Sequence, residues 1–94
     1  MIESFYCPDT QRFWESDGRF KKPFAPFARV AMRKLRMINA AVELRDLRQP
    51  PGNHLEALTA DRLGEYSIRI NNQYRICFVW SGTGAENVEI VDYH

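Results

Sequence analysis

From Glu65 to Tyr93 the chain alternates apolar and polar residues in three runs separated by two tight turns. In the first run, Tyr66, Ile68 and Ile70 fall on one side and Ser67 and Arg69 on the other. In the second, Tyr74, Ile76, Phe78 and Trp80 oppose Arg75, Cys77 and Val79. The third runs from Asn87 to Tyr93, with Val88 and Ile90 as its apolar stripe. Period-two alternation gives each run one face for a core and one for solvent. Asn71-Asn72, with Gln73, and Ser81-Gly82-Thr83-Gly84 are turn residues, several tolerant of positive φ. Sequential strands joined this tightly predict an antiparallel meander.

A meander needs a covering layer, and the first half of the chain supplies it. Phe27 to about Leu44 reads as a helix, with Phe27, Val30, Ala31, Leu35, Ile38, Ala41 and Val42 as its buried stripe. A shorter helix is expected up to about Ser16, N-capped by Asp9 or Thr10 after a break at Cys7-Pro8. Met1 to Tyr6 is a short alternating strand candidate. Asp17 to Pro26 reads as a linker or mobile loop, and Asp46 to Asn53 as an extended, turn-rich loop. Two N-terminal helices packed against one face of a small twisted sheet, mainly antiparallel, make an α+β architecture. Residues 1–94 are expected to form one domain.

Composition excludes more than it identifies. The formal net charge is only +1, so a nucleic-acid partner must be argued from where cations sit. Arg29, Arg33 and Arg36 share a helix face away from the apolar stripe. They form either an ordinary solvated face or a stripe that tracks phosphates. No apolar run approaches membrane-spanning length, and no signal-peptide segment opens the chain. Cys7 and Cys77 have neither metal-ligand nor disulfide spacing and read as small buried thiols of a reducing cytoplasm. No nucleotide-binding loop or zinc-protease motif occurs. No metal or cofactor is expected.

The last strand ends in Asp92-Tyr93-His94, two of them side chains able to move protons. Either the terminus is placed for chemistry, or Tyr93 and His94 simply end an exposed strand. Arg75 and Tyr93 are both out of phase with their strands' apolar stripes, so both belong on the face away from the core.

The stretch Leu55-x-x-Leu58-x-Ala60-x-Arg62-x-Gly64-x-Tyr66-Ser67-Ile68-Arg69-Ile70-Asn71-x-x-Tyr74-Arg75-Ile76-x-Phe78 resembles the HigB-type toxins of bacterial toxin–antitoxin systems, within the RelE superfamily. The ending Val91-Asp92-Tyr93-His94, the opening Met1-Ile2-x-Ser4-Phe5 and Ala40-Ala41 before Asp46-Leu47 are similar to the same family. Three departures stand out. Ala60 stands where members often have Gly, and Tyr74 where they often have Trp. Glu56 and Thr59 occupy a stretch that often carries His or Lys.

The resemblance implies a RelE-like fold and an endoribonuclease that cleaves ribosome-bound mRNA by attack of the RNA's own 2′-hydroxyl. That chemistry needs a base, a cation for the phosphate and an acid for the 5′-oxygen, and no metal. Arg binds phosphate oxygens in pairs. His titrates near neutrality. Tyr, with an ordinary pKa of about 10, needs a neighbouring cation to act as a base. The resemblance assigns Arg62, Arg75, Tyr93 and His94 to catalysis. Arg29, Arg33, Arg36, His54, Arg69 and Asp92 are read from their residue types and positions as candidates for RNA or ribosome contact, with Arg69 alternatively a plain surface cation and Asp92 either orienting His94 or capping the strand. Arg75 also reads as an ion-pair partner of Glu65 or Glu89, and His54 as a surface histidine. Implied partners are a HigA-like helix-turn-helix antitoxin, the ribosome and mRNA, with operator DNA reached only through the antitoxin. Two other readings remain: a gyrase-inhibiting toxin of the same fold, and an inactive antitoxin-binding module that helps repress its operon.

Overall fold

The computed structural model describes residues 1–93. The meander forms as three strands, β2 (Glu65–Arg69), β3 (Tyr74–Trp80) and β4 (Ala85–Asp92). A two-residue strand absent from the sequence reading, β1 (Glu56–Ala57), pairs along β2. These four strands pair antiparallel with one another, in the order β1-β2-β3-β4. Two residues offer too little alternation to register in a pattern search, which explains why β1 was not foreseen.

The sheet packs against α1 (Pro8–Glu15) and α2 (Ala28–Ala40). Phe13, Leu35 and Ile38 from the helices meet Ile68, Ile76, Phe78 and Val88 from the sheet, all fully buried. Each contributes about 1.5–3 kcal/mol by leaving water.

Both helices begin or end differently from expectation. The residue capping α1 is Cys7, with Pro8 opening the helix; Asp9 and Thr10 lie inside it. Pro suits that position because its missing N–H would have had no helical partner. Thr10 instead turns into the core, where its Oγ1 accepts the Ile90 N–H at 3.1 Å and ties α1 to β4. Helix α2 stops at Ala40, four residues early. Ala41 turns to extended backbone, and Asp46 Oδ2 accepts the N–H groups of Val42 and Glu43, both at 3.0 Å. That local carboxylate outcompetes continued helix and opens a 3-10 turn, Leu44–Arg48. Val42 consequently leaves the buried stripe and stands 74% exposed.

Residues 1–6 form no strand of their own ladder. Ile2 and Phe5 instead make parallel bridges to Ala85 and Val88 on β4. Gly84 permits this approach: a side chain there would strike the Met1 carbonyl and the Glu3 carboxylate. The Asp17–Pro26 stretch is anchored rather than loose. Phe24 is buried, its ring edge-on to Phe13 at 5.4 Å and to Phe27 at 6.1 Å.

A bulge sets the phase of β4. The pairing steps from Cys77–Glu89 to Val79–Glu86, so β4 carries one extra residue. Asn87 absorbs it with φ of 53°, a conformation Asn accepts more readily than most residues. Ala85 can then join Val88 and Ile90 in the core.

Ala60 holds φ of 54° without Asn's help, at a position where the left-handed region favours Gly. Ala60→Gly should therefore stabilise the fold by about 1 kcal/mol and raise its melting temperature by about 4–8 °C. Thr10→Val should act the other way, lowering stability by about 1–3 kcal/mol because the buried Ile90 N–H loses its acceptor. Calorimetry of the two variants checks both signs.

Candidate active site

Ile76 and Phe78 enter the core, so Arg75 and Cys77 project from the opposite face of β3. The registers Glu56–Ser67–Cys77–Glu89 and Arg69–Arg75–Val91 place those residues in two rows across this outer face. The Arg75 side chain is only 11% exposed, although it stands on the solvent face. Its Nε donates to Ser67 Oγ at 2.7 Å. Its Nη2 donates to the His54 carbonyl at 2.5 Å and weakly to the Ser67 carbonyl at 3.4 Å. Its one ion pair among the described residues is long, 3.7 Å from Nη1 to Glu56, whose side chain is half-exposed. The Tyr93 ring lies beside it, with its centroid 5.9 Å from the guanidinium carbon. The phase argument for Arg75 and Tyr93 thus describes their actual placement. The ion-pair partner is Glu56, however, and not Glu65 or Glu89.

Those two carboxylates belong to Arg62. Arg62 follows the Ala60 turn and donates to Glu65 at 3.0 Å and Glu89 at 2.9 Å. These bonds hold its proton more tightly, outweighing the opposing effect of burial. Arg62 and Arg75 are therefore unlike cations. The first is neutralised by two acids and anchors its loop to β4. Among the described residues the second is held mainly by neutral oxygens, which position a guanidinium without cancelling its charge.

His54 enters this site through its backbone. It caps the 3-10 turn Pro51–Asn53 in the left-handed region, φ 45°, and its side chain is exposed. Arg69 donates to the Asn71 carbonyl and to Asn72 Oδ1, so it staples its own turn. Asp92 accepts from Gln73 Nε2 at 2.9 Å, joining the end of β4 to the same turn. His94 lies outside the described residues. Arg29, Arg33 and Arg36 are exposed on the helix layer, where with Lys21 and Asp17 they line a groove of about 650 Å³. Arg36 pairs there with Asp17 at 2.7 Å. Sequence reasoning missed Ser67 and Glu56 as partners of Arg75, and missed the buried Lys34 and Asn53 entirely. The in-phase position of Ser67 opposite Cys77 was the one available signal. Among the described residues no His, Cys, Asp and Glu cluster could hold a metal ion, and no helix is long and apolar enough to cross a membrane.

The overall arrangement is the fold of the YoeB toxins. The YoeB–YefM complex of Staphylococcus aureus aligns over 100% of this chain and 98% of that one, with a TM-score of 0.60 at 17% identity. A YoeB/ParE toxin of Agrobacterium tumefaciens aligns over 98% and 99%, with a TM-score of 0.53 at 16% identity. Sequence then narrows the class. Residues 3–94 match the HigB-like toxins, described as RelE-like toxins of type II toxin–antitoxin systems, and this chain belongs to that family. It is 40% identical over 70 residues to Toxin HigB-1 of Vibrio cholerae, covering 74% of each chain. A Haemophilus influenzae protein is 38% identical over 77 residues, covering 82% of this chain and 76% of its own. As a type II toxin, the chain has an antitoxin partner.

The two cysteines differ in burial, which makes Cys77 a probe of the sheet's outer face. Burial pushes the Cys77 thiol up to about 11, helped by Glu65 and Glu89 and opposed by Arg62 and Arg75. Cys7 is only half-buried. A thiol reagent at pH 8 should label Cys7 alone, with Cys77 reacting only after denaturation. The unfolded thiol ionises from 9.0 and the folded one from about 11, so deprotonation favours the unfolded chain across that window. Urea midpoints should fall more steeply from pH 9 to 11 in the wild type than in Cys77→Ala.

Proposed function

We propose that this chain is a ribosome-dependent mRNA endonuclease, silenced by a HigA-like helix-turn-helix antitoxin and acting in the cytoplasm where its ribosomal substrate is. The observation that carries the reading is the guanidinium of Arg75, fixed on the outer sheet face by neutral oxygens and flanked by the Tyr93 ring. A cation so held suits the charge that grows on a scissile phosphate. Tyr93, and His94 next to it in sequence, supply groups for taking the 2′-hydroxyl proton and returning one to the 5′-oxygen. The RNA carries the nucleophile, so this route needs neither a metal nor a covalent enzyme intermediate. Arg62 serves first as a loop anchor, because direct use of its charge would require leaving Glu65 and Glu89. His54 and Arg69 border the same face, and they and Asp92, at the end of β4, fit contacts to the message rather than proton transfer. Operator DNA is reached only through the antitoxin.

The basic groove of Arg29, Arg33 and Arg36 fits phosphates of ribosomal RNA, separate from the reacting bond. Arg75→Ala and deletion of His94 should each abolish growth inhibition while preserving melting behaviour and antitoxin binding. Colony formation after induction measures this, and a toxic, expressed Arg75→Ala protein would reject the site. Purified protein should cleave message on ribosomes far faster than naked RNA and leave a 2′,3′-cyclic phosphate or its 3′-phosphate product. A triple Arg→Gln variant at 29, 33 and 36 should need more protein for half-maximal cleavage, a defect that shrinks at low salt, with the saturated rate unchanged. Co-sedimentation with ribosomes across a salt series tests the docking role directly.

A further inference from the structure

Lys34 lies on the buried side of α2, between Ala31 and Ile38, and is only 5% exposed. A cation is costly there. Burial, and then Arg33 and Arg69, pull its ammonium below the usual lysine range. Among the described residues no carboxylate stands at ion-pair distance from it. Its Nζ donates instead to Asn53 Oδ1.

Asn53 is fully buried and uses both ends of its amide. Its Nδ2 donates to the Leu47 carbonyl at 3.1 Å and the Gln49 carbonyl at 3.2 Å, with Met37 Sδ at 3.8 Å. One side chain thus fastens α2 to the whole loop from 47 to 53. The next residue, His54, turns left-handed and presents its carbonyl to Arg75 Nη2. An apolar side chain of similar length would fill the Lys34 site without the electrostatic cost. The polar chain therefore needs a reason other than packing, and its far end is the guanidinium of the candidate site.

We propose that Lys34 and Asn53 are positioning residues for Arg75: they fix the His54 carbonyl that holds one edge of the guanidinium. Ser67 fixes the Nε, and Nη1, whose contact among the described residues is the long 3.7 Å pair with the half-exposed Glu56, is the edge for a substrate phosphate. The clamp is a property of the fold; only its consequence for catalysis rests on the nuclease reading.

The test compares wild type, Lys34→Met and Lys34→Gln by the solvent exchange of the Arg75 Nη2 protons, which the His54 carbonyl accepts, in low-temperature NMR and by cleavage kinetics on ribosomes. Lys34→Met should speed that exchange about tenfold. It should lower kcat by about tenfold or more, with the KM for ribosomes unchanged. Lys34→Gln keeps a donor for Asn53 and should restore most of both. A merely structural lysine would lower melting temperature and leave exchange and kcat as in wild type, a result that overturns the proposal. Should Lys34→Met not fold, the wild type decides: Arg75 Nη2 protons exchanging as fast as those of an unbound arginine also overturn it. If exchange responds as expected but the wild type cleaves nothing on ribosomes, the clamp stands and the nuclease reading falls.

Discussion

The structure depends on the two-sidedness of β3. Ile76 and Phe78 are wholly buried against the helices, so the strand can neither slide nor turn without moving both into water. A slip of one residue would exchange its faces. That apolar constraint aims Arg75 outward, and the antiparallel pairing with β4 brings Tyr93 beside it. Core packing thus orients a group that takes no part in the core.

Electrostatics then divides the outer face. Two arginines stand on either side of the buried Cys77, whose ionisation senses both of them. Arg62 meets two carboxylates and becomes a strut. Among the described residues Arg75 meets a hydroxyl, two carbonyls and one long contact with Glu56. Neutral acceptors position a guanidinium without cancelling its charge, whereas short carboxylate pairs do both. The difference between a structural and a chemically available cation therefore lies in its acceptors rather than in its exposure. Arg75 has the less exposed side chain, at 11% against 34% for Arg62.

Unusual backbone accompanies this face. His54 and Ala60 hold positive φ in the segment that leads into β2, and Asn87 does so at the β4 bulge. Each turns the chain where regular geometry would carry it past its partner. His54 turns its carbonyl to Arg75, Ala60 opens the turn that carries Arg62, and Asn87 restores the phase of β4.

By itself the sequence determined the meander, its two turns, the helix layer and the phase of Arg75 and Tyr93, because period-two and helical alternation are written directly in residue order. The resemblance carried by residues 55 to 78 likewise indicated the family. Only tertiary structure decided where α2 ends, since that depended on Asp46 folding back on Val42 and Glu43. It also paired Arg62 with Glu89, 27 residues away, and Arg75 with the His54 carbonyl, 21 residues away. The burial of Lys34 beside Asn53 has the same origin. Such partnerships join side chains to groups that are distant in the chain or belong to the backbone. Residue spacing encodes which face a side chain occupies; the acceptor it meets there exists only once the chain has folded.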